Sequence, residues 1–228
     1  MKKFLLMLLM SASAFAASGF ESALNIPLLI SVGIPIGNSG EKRNVDVVLN
    51  SGITAQLGYG LYLDNGIGVS VLGEIGYAFN QFANYYPDRP YKESVINSFH
   101  SLQLGLLPKF NIKNISIGLG GGLKIPFSGV IKTYNEYSSS ERSTYYTDMN
   151  FQYIRDTYNQ MFVIPYIKLT FDFYTPEFDE DSGTLSDSSD AGIGLYLGYD
   201  FGPKGKNNVG SDSFTIGAQF SFRIKPVD

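Results

Sequence analysis

Apolar residues recur at every second position through most of this chain, a spacing that gathers them on one face of an extended strand. The stretch 213–224 shows it most fully. Phe214, Ile216, Ala218, Phe220, Phe222 and Ile224 share one face, and Thr215, Gly217, Gln219, Ser221 and Arg223 share the other. Large aliphatic and aromatic groups on one side, with small or polar groups and a charge on the other, call for hydrocarbon outside and a hydrated interior. Seven earlier runs repeat the pattern, at 24–36, 53–61, 67–79, 102–110, 115–127, 163–173 and 193–201. Asp64-Asn65-Gly66 joins the second run to the third as a tight hairpin turn, and 111–114 joins the fourth to the fifth.

Eight strands of about ten residues each are long enough to cross hydrocarbon when tilted, and an even number leaves both chain ends on one side. The pattern therefore predicts an all-β fold, an eight-stranded antiparallel up-and-down transmembrane β-barrel. Connections 37–44, 80–97, 128–159 and 202–213 are long and fall on the outer side; 64–66 and 111–114 are tight and fall on the periplasmic side. Connection 175–191 departs from this rule, being long and acidic where a short turn is expected.

Met1-Lys2-Lys3, the apolar run 4–10 and the small residues that follow form a cleavable signal peptide over 1–16, cut after Ala14-Phe15-Ala16. The barrel domain is then 17–228. No Cys is present, which removes disulfides, thiol chemistry and a lipid anchor together, and a net charge of −4 argues against nucleic acid. Trp is absent, while Tyr and Phe gather at the strand ends, as at Tyr77, Phe79, Phe127, Phe173, Tyr199 and Phe201. Two rings of such residues suit the two membrane interfaces.

Thr215-x-Gly217-x-x-Phe220-x-Phe222 resembles the carboxy-terminal signal by which outer-membrane barrels are recognised for insertion, although Lys225-Pro-Val-Asp228 follows it here. With the strand pattern and the signal peptide, the chain resembles the small eight-stranded outer-membrane barrels of the OmpA and OmpX type. The resemblance implies location in the bacterial outer membrane after Sec-type export, contact with outer-membrane lipid and with the barrel assembly machinery, and no cofactor.

Inward positions include Glu74, Lys109, Lys124, Lys168, Asp172, Asp200 and Arg223. An eight-stranded barrel has an interior only wide enough for side chains, so these charges must pair: Lys124 with Asp200 toward the outer end, Glu74 with Lys168 at mid-depth, Asp172 with Arg223 toward the periplasm. Inward glycines such as Gly60, Gly118 and Gly198 leave room for Tyr62, Tyr166 and Tyr196. His100 and Ser101 are adjacent and point to opposite faces, so they cannot form a nucleophilic pair. Gly118-Leu-Gly-Gly-Gly122 lies within a strand and lacks the helix and Lys-Ser/Thr of a phosphate loop. The acidic residues Glu177, Asp179, Glu180, Asp181, Asp187 and Asp190 do not have the spacing of a calcium loop and read as a solvated segment. No metal site or enzyme is expected.

The expected role is surface contact through the outer loops, in adhesion or host and matrix binding. A narrow ion or small-solute channel is one alternative, and a soluble exported barrel around an apolar ligand is another. Residues 130–137 and 151–155 read as two strands continuing beyond the membrane in a protruding hairpin. Tyr134, Tyr137, Tyr145, Tyr146 and Tyr153 give it amphipathic rings suited to an extracellular protein ligand, and Tyr85, Tyr86 and Tyr91 of 80–97 extend the same surface.

Overall fold

The computed structural model of the chain describes residues 17–37, 40, 42–63, 65–88, 91–137, 141–158, 163–179, 184–205 and 208–224. The expected signal peptide 1–16, Asp64, residues 138–140, Glu180, Asp181 and residues 225–228 lie outside the described residues, as do the side chains of 176–189. Nine strands and one helix are present among the described residues: β1 (Ala17–Ile36), β2 (Asp46–Tyr62), β3 (Ile67–Tyr86), β4 (Lys92–Ile112), β5 (Ile115–Glu136), β6 (Arg142–Asn150), α1 (Phe151–Thr157), β7 (Ile164–Asp179), β8 (Thr184–Asp200) and β9 (Gly210–Ile224).

Eight of these strands close a ring, β1-β2-β3-β4-β5-β7-β8-β9 and back to β1, every pairing antiparallel. Side chains alternate across this wall. Leu57, Val71, Leu106, Leu119, Ile167 and Phe222 are exposed on the outside, whereas Gln56, Ser70, Lys109, Ser116, Lys168 and Arg223 are buried within. An apolar exterior around a polar interior is the arrangement of a transmembrane barrel. It overturns the soluble alternative, which would place the aliphatic groups in the core.

At the end expected to face the periplasm the second connection is tight because Gly66 adopts φ 78°, a left-handed conformation, and its N–H reaches the Leu63 carbonyl at 2.9 Å. The Asn65 side chain accepts the Ile67 N–H at 3.1 Å, and the Gly66 carbonyl accepts the Lys113 N–H of the neighbouring turn at 2.7 Å. Two adjacent turns thereby lock each other.

At the outer end the structure departs from the sequence reading in three places. β3 and β4 stay paired from Asn80↔Phe99 to Tyr86↔Glu93, so the expected 80–97 connection is a long hairpin. β5 pairs with β7 over 115–124 and with β6 over 128–136, changing partner around Phe127, the residue left over between the pairs Ser101↔Pro126 and His100↔Ser128. The returning strand of the hairpin is Arg142–Asn150; residues 151–155, expected as strand, lie in the helix α1. Asn150 decides this locally, because its side chain accepts the Tyr153 N–H at 2.8 Å and caps the first turn of α1.

At the opposite end, expected to be periplasmic, β7 and β8 remain paired through Phe178↔Leu185 and Asp179↔Thr184, with a register shift between Pro176 and Phe178. The expected long connection 175–191 is therefore mostly ladder.

The upper parts of β3, β4, β5 and β6 continue the wall as one sheet, whose β3 side is tied inward at the barrel mouth. Tyr85 bridges to Asn44 ahead of β2, and the Ser211 hydroxyl of β9 donates to the Ala83 carbonyl at 3.3 Å. Beneath this sheet Phe82, Phe99, Met149, Ile154 and Ile164 pack together, with Ile131 and Tyr158 against them. Phe82 and Phe99 meet edge to face at 6.0 Å, and Phe99 meets Tyr158 likewise at 5.7 Å. Burial pushes the Tyr158 phenol well above its ordinary pKa, and its hydroxyl donates to Asn97 at 3.2 Å. An apolar plug thus closes the outer mouth.

Candidate functional site

Two regions bring the sequence-predicted residues together, the lumen and the sheet above it. All seven inward charges are buried in the lumen: Glu74, Lys109, Lys124, Lys168, Asp172, Asp200 and Arg223. Nearest the outer mouth, Lys124 bonds Asp200 at 2.6 Å, and Asn80 donates to the other Asp200 oxygen at 3.1 Å. At mid-depth Glu74 accepts Lys168 at 2.5 Å and Gln56 at 2.7 Å on one oxygen, and the Tyr166 hydroxyl at 3.2 Å on the other. Gln103 also donates to Tyr166, at 3.2 Å, so the layer spans the barrel.

The lowest layers pair differently from the expectation. Arg223 holds Asp190, not Asp172, at 2.7 Å and 3.2 Å through two of its nitrogens, while a third reaches Asn111 at 3.2 Å and the guanidinium lies 3.8 Å from the Tyr174 ring. The reason is register. Asp190 of β8 stands directly opposite Arg223 of β9, whereas Asp172 lies a strand farther round the wall. Asp172 instead accepts Gln219 at 2.5 Å and faces Lys109 at 3.6 Å. Asp190 thereby leaves the expected solvated acidic segment and becomes a lumen residue.

Glu21 is a second lumen acid outside the sequence reading. It accepts Tyr62 at 2.7 Å and Ser70 at 2.6 Å. Its odd parity with Asn25 and Ser31, like the even parity of Asp190 with Gly194 and Asp200, was the signal that could have found it. Among the described residues these nine charges are four cations and five carboxylates.

Tyrosines and glycines fill the space between layers. A side chain at Gly60 or Gly68 would run into the Tyr62 ring, one at Gly105 into the Tyr166 hydroxyl and one at Gly198 into Tyr196. Near Asn50, Asn80, Gln103, Lys124 and Lys168 there remains a cavity of about 20 Å³, space for a single water. Among the described residues no three His, Cys, Asp or Glu side chains are disposed to hold a metal.

On the wall, His100 faces outward and bonds the Tyr77 hydroxyl at 2.6 Å, with the Phe79 ring 5.1 Å away. Ser101 is fully buried on the opposite face. In β9, Thr215 points inward onto Ser31 at 2.8 Å, Gly217 lets the chain pass close to Leu28 and Leu29, and Phe220 and Phe222 are exposed on the outside.

The tyrosines of the protruding sheet divide between surfaces. Tyr146 stands opposite Lys132, whose ammonium lies 6.0 Å from its ring, and alternation puts Tyr134 on the same face. Tyr145 lies on the reverse face, Tyr153 on α1, and Tyr137 near the tip, where it meets Tyr91 at 4.7 Å. Tyr137, Tyr145, Tyr146 and Tyr153 are exposed, and Tyr134 is half-buried.

No family model and no curated protein matches the chain. Among solved structures it is similar to Neisserial surface protein A, at 9% identity over 91% of this chain and 98% of that one, with a TM-score of 0.35. Ail, the attachment invasion locus protein of Yersinia pestis, is 16% identical over 89% and 98% of the two chains, TM-score 0.35. The outer membrane protease OmpT from Escherichia coli is 7% identical over 92% and 98%, TM-score 0.40. Likeness at these scores says nothing of activity.

Proposed function

We propose that this chain is an integral protein of the bacterial outer membrane whose protruding sheet binds an extracellular protein, without enzymatic chemistry. The observation that carries this reading is the β3–β6 sheet itself, which rises beyond the aromatic outer end of the wall and presents exposed Tyr137, Tyr145 and Tyr146 beside a strand with an open edge. Tyrosine supplies contact area at low rotamer cost, and an open edge offers main-chain hydrogen bonds to an added strand. The apolar exterior supports residence in lipid, and the signal peptide 1–16 with Thr215, Gly217, Phe220 and Phe222 supports Sec export and delivery to the barrel assembly machinery.

The test uses cells displaying the protein on an immobilised reconstituted basement-membrane matrix. Deleting residues 138–144 with Tyr145→Ser and Tyr146→Ser should leave a folded, heat-modifiable barrel in the membrane and abolish attachment. Attachment equal to that of the unaltered protein would remove the hairpin from the function.

A further inference from the structure

β6 pairs with β5 only, and among the described residues no strand covers its other edge. The Tyr137 N–H donates to the Glu141 carbonyl at 3.0 Å. In an antiparallel ladder this sets the alternation, so that odd-numbered residues of β6 turn their backbone groups toward β5. Arg142, Thr144, Tyr146, Asp148 and Asn150 turn theirs to the open edge. Nine residues make an edge about 30 Å long. It contains no Pro, Lys or bulge of the kind that usually blunts such edges, and its central residues are β-branched or aromatic.

The two charges of this strand, Arg142 and Asp148, lie three residues either side of Tyr145. A second β6 laid antiparallel against the first and centred on Tyr145 would put Arg142 opposite Asp148 of the second copy at both ends, and Thr144 opposite Tyr146 twice. These residues are also the ones whose backbone groups face the open edge, so one register satisfies both charge and hydrogen bonding. A shift of one residue sets outward-facing backbone groups against inward-facing ones. A shift of two sets Arg142 against Tyr146 or Asn150 and loses both ion pairs. Asp148 has no ionic partner among the described residues, and Arg142 is held only by an exposed bond to Glu136 at 3.2 Å, which leaves both available.

We propose that β6 is a self-pairing edge that joins two copies of this chain on apposed membranes. The orientation follows from symmetry. Antiparallel edge pairing needs a two-fold axis perpendicular to the sheet, and a sheet that continues the barrel wall has that axis along the membrane plane, so the two barrels point in opposite directions. Two copies in one membrane are related by an axis along its normal, which leaves their strands parallel. The inference rests on reading the protruding sheet as a contact surface and names a second copy as its partner.

The experiment reverses each charge separately. Proteoliposomes bearing the unaltered protein should cluster, and those bearing Arg142→Asp alone or Asp148→Arg alone should cluster about tenfold less, since each reversal turns two attractive pairs into repulsive ones. A mixture of the two variant populations should cluster with each other, because Asp faces Arg at both ends of that mixed pair. Should a reversal fail to give a heat-modifiable barrel, Asp148→Asn removes the pairs without repulsion and should give a smaller loss. Unaltered vesicles that stay dispersed, single variants that cluster normally, or a mixture that does not cross-cluster would each overturn self-pairing. Matrix attachment by unaltered protein whose vesicles stay dispersed would leave the surface-contact reading standing, and loss of both would remove it as well.

Discussion

Glu74 receives three donors from two other strands: Gln56 of β2, and Tyr166 and Lys168 of β7 across the lumen, with Gln103 of β4 completing the layer through Tyr166. Removing one member of a buried ion pair leaves the other charged group without compensation, which costs more than the pair contributes. Glu74→Ala should therefore destabilise the barrel by about 3 kcal/mol or more, whereas Glu74→Ala with Lys168→Ala should recover part of that loss. Denaturant-induced unfolding in detergent, followed by the heat-modifiable band, measures both; equal destabilisation of the single and double variants would refute the pairing. The inward parity of Glu74 and Lys168 is readable in the alternation of 67–79 and 163–173, because a strand has only two faces. That Tyr166 and Gln103 join them is not, since alternation carries no information about which strands face each other across the lumen.

Among the elements, α1 is the one whose existence turns on a single side chain. Seven residues make too short a helix to persist without help, and help comes from the Asn150 cap and from Ile154, which is buried in the plug with Phe99, Met149 and Ile164. Asn150→Ala should cost about 1 kcal/mol and speed hydrogen exchange of the α1 amides severalfold, with amides of the membrane-spanning ladder unchanged. Unaltered exchange in α1 would show that packing alone holds it. Residues 151–155 looked like strand because Phe, Tyr and Ile suit one. The cap and the apolar contact with β5 and β6 outweigh that propensity, which is weak wherever tertiary packing is available.

For the whole molecule, the charge layers and the Phe82–Phe99 plug fill the interior, and the cavity of about 20 Å³ beside Lys124 and Lys168 has room for a single water. Purified protein in planar bilayers is therefore expected to show no steady conductance, and reproducible single-channel steps would overturn the filled lumen and restore the channel alternative. What the sequence determined by itself was the wall. A period of two with large apolar groups on one face admits one inside and one outside, and eight such runs joined by alternating short and long connections close in one way. Tertiary structure alone decided what the wall encloses and carries. Whether Arg223 meets Asp172 or Asp190 depends on cross-strand register, and a pairing offset is not encoded in either strand's alternation. Likewise, the sheet carries a fourth strand beyond the wall because β5 exchanges β7 for β6 around one leftover residue, Phe127. The hairpin partner lies close by in sequence, but where β5 leaves β7, and that Phe82 and Phe99 are then buried against Ile154 of α1 and Ile164 of β7, are long-range choices that no local pattern records.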